Sequence, residues 1–95
     1  MVLTNLQIKV VGELKTGTSK ATGVTWASRN IVLGFQDEDG RDNYISCRCG
    51  ENVWAANGAA LAVNDIVTAR LLFYTRNYSS GFVGNDITIL DIKKV

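Results

Sequence analysis

Tyrosine and arginine recur at two-residue spacing in two parts of this chain. Arg70, Tyr74, Arg76 and Tyr78 share one parity of the stretch 66–78, together with Thr68 and Leu72. Tyr44, Ser46 and Arg48 share one parity of the stretch 42–49. Successive side chains of a strand point to opposite sides, so each set lines one face of an extended segment. Guanidinium groups neutralise a phosphate backbone and aromatic rings stack on unpaired bases. The opposite parity of 66–78 carries Val67, Ala69, Leu71 and Phe73, which predicts a core face. Two strands with the same outward chemistry argue better than one. Tyr and Arg also decorate ordinary exposed sheet faces, and that plainer reading stays open.

Other chemistry is poorly provided for. The chain has no histidine, which rules out a Ser-His-Asp triad and a His-ligated zinc. Cys47 and Cys49 fall on one strand face beside Ile45, badly placed to bond each other and without a second ligand pair for a metal. They read as buried, reduced thiols. Asp37-Glu38-Asp39-Gly40 reads as a solvated turn, because EF-hand spacing is missing. No nucleophile–base pair or phosphate loop is present, so neither enzyme activity, metal nor cofactor is expected.

The chain has 95 residues, 46% hydrophobic and 20% charged, which predicts a single folded domain over 1–95. Its formal net charge is only +1, so a polyanion site requires local clustering of Lys and Arg. The N-terminus lacks a basic region followed by a long apolar run, and no window reaches membrane-spanning length. A cytoplasmic setting is expected.

Leu6, Ile8 and Val10 alternate with Gln7, Lys9 and Val11 in a first strand, 3–14, with Gly12 as a candidate bulge or bend. The segment 15–25, rich in Thr and Gly, predicts a flexible loop: either a plain solvated connection or a mobile arm carrying Lys15 and Lys20 to a ligand. A second strand, 26–36, turns Ile31, Leu33 and Phe35 inward. Trp26 at its start is either a stacking platform or the cover of an open barrel end. The third strand, 42–49, turns Ile45, Cys47 and Cys49 inward. A short helix is expected over 51–62, weakened by Asn57-Gly58. Its Trp54 either packs under the barrel, the stronger reading, or meets a ligand. The fourth strand is 66–78. The segment 77–85 predicts a hairpin loop with Tyr78 and Phe82, either as base-stacking fingers or as rings folded back on the loop. A last strand, 86–95, turns Ile87, Ile89 and Ile92 inward. Five strands with a short helix between the third and fourth is the pattern of an all-β, five-stranded Greek-key barrel, the OB-fold.

Asn30-Ile31-Val32-Leu33-Gly34-Phe35, the strand from Tyr44 to Gly50, Leu61-Ala62-Val63-Asn64-Asp65 and Thr75-Arg76-Asn77-Tyr78 together resemble the OB domain of bacterial single-stranded DNA-binding proteins. The resemblance covers nearly the whole chain. It implies single-strand binding, with Trp26, Tyr44, Arg48, Trp54, Tyr74, Arg76 and Tyr78 at positions where the family carries contacts. It also implies homo-oligomers, dimer or tetramer, and a role in DNA replication, recombination or repair. Typical members continue into a flexible tail with an acidic tip, and this chain ends at Val95, so a short form without tail-mediated recruitment is expected. The candidate nucleic-acid-binding set is therefore Lys15, Lys20, Trp26, Tyr44, Arg48, Trp54, Arg70, Tyr74, Arg76, Tyr78 and Phe82, for single-stranded DNA or RNA. The alternative is an oligomerisation or protein-interaction module of the same fold, using outward Val11, Val32, Tyr44 and Leu72.

Overall fold

The computed structural model describes residues 1–58 and 60–95; the side chains of residues 58 and 76 lie outside the description. Six strands form among the described residues: β1 (Val2–Val11), β2 (Lys15–Thr18), β3 (Thr25–Gln36), β4 (Asp42–Gly50), β5 (Ile66–Asn77) and β6 (Val83–Lys94). One helical turn, α1 (Glu51–Val53), runs into a wider π-type turn, Trp54–Gly58. The sheet order is β1-β5-β6-β4-β3-β2, and a further β1–β3 pairing closes five of the strands into a barrel. All these pairings are antiparallel except β4–β6, which is parallel at Arg48–Thr88 and Cys49–Ile89. This is the OB topology.

The core follows strand alternation. Leu6, Ile8, Ile31, Leu33, Cys47, Cys49, Val67, Ala69, Leu71, Ile89 and Ile92 are buried. Burying a Leu or Ile side chain contributes about 1.5–3 kcal/mol, so this inward set is the main force closing the sheet. Phe73 departs from the expectation. It keeps inward parity but is 44% exposed, because it stands at the open end of the barrel with Leu3, Phe35 and Ile45. The opposite end is closed by Trp54 and Leu61, which are buried. The Arg29 guanidinium lies 5.3 Å from the Trp54 ring centroid and pairs with Glu51 at 3.1 Å. One inward Arg thus pins the helical turn under the barrel.

Three segments differ from the sequence expectation. Residues 15–25 are not a flexible loop throughout: Lys15–Thr18 pairs with Thr25–Ser28 and lengthens the β3 hairpin. Of 77–85, only 78–82 lies outside the β5–β6 ladder. The helix expected over 51–62 stops early, and Ala59 lies outside the described residues. The bends in β1 also fall elsewhere than Gly12. One register shift lies between Ile8 and Val10. Another lies between Leu3 and Leu6, where Asn5 takes φ +55°, a left-handed conformation that Asn tolerates.

Candidate nucleic-acid interface

Residues opposite each other across a ladder share a face, and the outward rows of β3, β4, β6 and β5 join into one stripe. Asn30 faces Arg48, Arg48 faces Thr88, and Thr88 faces Leu72. One step along, Val32 faces Ser46 and Asp86 faces Tyr74. Asn30, Ser46, Arg48, Tyr74, Asp86 and Thr88 line a polar depression of about 350 Å³. Beyond it on one side stand the pairs Ser28–Lys15 and Trp26–Gly17. On the other stands the pair Gly34–Tyr44. Trp26, Lys15, Arg48, Tyr74 and Tyr44 therefore occupy one continuous surface.

Three glycines hold the outward groups. A Cβ on Gly17 would lie 2.5 Å from Cζ2 of Trp26, so the indole rests against the bare backbone of β2. A Cβ on Gly84 would lie 3.0 Å from Cε2 of Tyr78, whose ring rests on β6 in the same way. Gly34 is covered by Lys9, with Cε 2.8 Å from such a Cβ, and by the Tyr44 ring at 3.5 Å. Each ring is half-exposed and supported from below. Phe82 differs: it stands at the β5–β6 tip, 75% exposed. There the Gly81 amide donates to the Tyr78 carbonyl at 3.0 Å and the Tyr78 amide to the Phe82 carbonyl at 3.0 Å. Gly81 makes that turn with φ +88°, which favours glycine.

The charges are segregated. Arg29, Arg41, Lys93 and Lys94 pair with Glu51, Asp37 and Asp39, Asp91, and Asp65 respectively. Lys9, Lys15, Lys20, Arg48 and Arg70 have no carboxylate partner among the described residues. Asp37 is engaged in its own turn. It accepts from the Asp39 and Arg41 amides and from the Arg41 and Asn43 side chains. The Arg41 amide first, with the others, holds its carboxyl below the usual value of 3.8 against the opposing effect of desolvation. Cys47 and Cys49 are free and buried. Burial pushes both thiols up to about 11, reinforced at Cys47 by the neighbouring Cys49 and opposed at Cys49 by Arg29.

The sequence-derived set divides as follows. Lys15, Trp26, Tyr44, Arg48 and Tyr74 lie on the stripe. Lys20 sits in the β2–β3 turn and Tyr78 and Phe82 at the β5–β6 tip, at the two hairpin ends. Arg70 is exposed and outward but faces Asp91 and Val2, toward β1. The Arg76 side chain lies outside the described residues. Trp54 is a correction: at 6% exposure it belongs to the core, and Trp26, 49% exposed, is the accessible indole. Lys9 was missed. Its signal was indirect, a glycine on the outward parity of a central strand, where only a neighbour's side chain can cover the gap.

The fold is an OB barrel whose stripe carries rings and cations with no carboxylate partner among the described residues. No protein-family model matches the sequence, and no curated protein matches it. Among solved structures, the chain is similar to the small single-stranded DNA-binding protein from Streptomyces coelicolor, with a TM-score of 0.50 and 13% identity over 100% of this chain and 94% of that one. At that identity the likeness concerns the fold. No described helix is long and apolar enough to cross a membrane.

Proposed function

We propose that this protein binds single-stranded DNA, without catalysis, along the stripe from Trp26 to Tyr44. Lys15 and Arg48 on the stripe, with Lys20 at its hairpin end, replace counterions along the backbone, and Trp26, Tyr44, Tyr74, Tyr78 and Phe82 stack on bases. Each stacked base contributes about 1–3 kcal/mol with weak sequence preference. The observation that carries this reading is the placement of charge: Lys15 and Arg48, with no carboxylate partner among the described residues, stand among supported rings, while most ion pairs lie elsewhere. The fold shared with a small single-stranded DNA-binding protein agrees with it. A cytoplasmic accessory role in replication, recombination or repair follows from the same reading.

Titration with oligo-dT tests it through tryptophan fluorescence. Trp26 emission is quenched saturably at low salt, and buried Trp54 supplies an unquenched background. Quenching by oligo-rU of equal strength would redirect the proposal to RNA. Absence of saturable quenching by either would overturn it. Val11, expected outward, sits opposite Ile31 and packs against the core, whereas exposed Val10, Leu72 and Leu90 favour a second reading, a homo-oligomeric or partner interface. Light scattering of Leu72→Ser checks it: a smaller particle with unchanged oligo-dT binding assigns Leu72 to assembly.

A further inference from the structure

The wall of the barrel is split on the β1 side. The second half of β1 pairs with β3, from Gln7–Gly34 onward. Its first half pairs with β5, at Val2–Arg70 and Leu3–Ala69. Between Leu3 and the β3–β4 hairpin no ladder closes the surface, and a cleft of about 830 Å³ opens there. Its floor is apolar: Leu3, Phe35, Ile45 and Phe73, barrel-interior side chains that reach this opening. Lys9 and Tyr44 stand on its rim, with Gly34 between them, and the rim also carries Asn5, Gln7, Asn43 and the Asp42 carboxylate, which accepts from Gln36 Nε2 at 3.5 Å.

The β1 bulges shape this place. Lys9 is the extra residue between Ile8–Leu33 and Val10–Val32. Bulges re-aim side chains and recur next to functional sites. Here the bulge lays the Lys9 stem across Gly34, beside the Tyr44 ring, and Lys9 has no carboxylate partner among the described residues. The second bulge, at Thr4 and Asn5, bends β1 on the other side of the cleft.

We infer that this cleft is a nucleotide subsite: it takes one unstacked base of a bound single strand on its apolar floor, with the adjoining phosphate on Lys9. A concave site of this size, with an apolar floor and polar groups around its rim, is a common form of a small-ligand pocket. A flat heteroaromatic ring matches the floor, and the free ammonium matches an anion beside that ring. Tyr44 borders both the cleft and the stripe, so a strand lying over Tyr44 has its next base within reach of the opening. The inference rests on the single-strand reading and lengthens its path around the barrel edge to β1, onto residues outside the sequence-derived set.

Methyl and amide NMR of the full chain with oligo-dT separates the two claims. The Leu3 and Ile45 methyl signals shift with the Tyr44 and Arg48 amides, and dTMP alone moves the same methyls more weakly. Lys9→Gln weakens oligo-dT binding by about tenfold and brings the salt slope toward zero by about 0.7. Shifts at Tyr44 and Arg48 with silent Leu3 and Ile45 methyls leave the stripe in place and sink the cleft. Silence everywhere sinks both. Methyl shifts that follow protein concentration without DNA assign the cleft to a second copy and overturn the proposal.

Discussion

A stacking ring is useful to a ligand only if its orientation is set in advance, since an unsupported side chain loses rotamer freedom on binding. Trp26 has that support in Gly17, whose missing Cβ leaves room for the indole. Gly17→Ala therefore displaces Trp26 without removing it, and oligo-dT binding weakens as it does for Trp26→Ala, by about 1–3 kcal/mol. A retained affinity in Gly17→Ala, read by fluorescence titration, would show that the support is irrelevant. The two cysteines supply a second test at this scale. Their folded values stand at about 11, above the ordinary value of 9.0. Between these limits the unfolded chain binds fewer protons than the folded one, so stability falls as pH rises from 9 toward 11. Denaturant melts across that range check the slope, and Cys47→Ala with Cys49→Ala flattens it. In the folded protein at neutral pH both thiols resist a disulfide-exchange reagent, because thiolate is the reacting species.

At the scale of elements, the closure of the barrel's lower end depends on three groups that the sequence separates. Arg29 is on β3, Glu51 on α1 and Trp54 on the turn that follows, and the Arg29 Nε is buried without a hydrogen-bond partner among the described residues. Trp54→Ala costs about 3–5 kcal/mol through the cavity it leaves. Glu51→Ala costs only about 1 kcal/mol, because the carboxylate is partly solvated. Both are read as shifts of the denaturation midpoint, and neither changes oligo-dT affinity per folded molecule. Much of this architecture was legible in the chain. Leu6–Ile8, Ile31–Leu33, Cys47–Cys49 and Val67–Leu71 alternate because one face is buried, and alternation is what a sequence displays. The strand Lys15–Thr18 was not legible, since Lys-Thr-Gly-Thr buries nothing and is held by backbone pairing to β3. Phe73 has the right parity, but parity says nothing about which end of a barrel is open. Lys9 was hidden for a related reason: a bulge breaks the alternation from which its direction would have been read.

For the molecule as a whole, a net charge of +1 argues against an electrostatic partner until the charges are placed. Nine carboxylates nearly balance ten cations in number, yet the ion pairs take up Arg29, Arg41, Lys93 and Lys94 and leave Lys9, Lys15, Lys20 and Arg48, the cations nearest the rings, with no carboxylate partner among the described residues. A field of this kind is local, screened within about 8–10 Å at ordinary ionic strength. It contributes through phosphate contact rather than long-range attraction. For single strands each neutralised phosphate adds roughly −0.7 to the slope of log affinity against log salt. Four engaged cations therefore give a slope of roughly −3. Arg48→Gln brings it toward zero by about 0.7, whereas Arg41→Gln, which breaks only the Asp37–Asp39 turn contacts, leaves it unchanged. A slope near zero with binding retained would make stacking on Trp26 and the tyrosines the sole source of affinity. Equal effects of the two arginines would mean that the cations act by their sum and not by their place on the barrel.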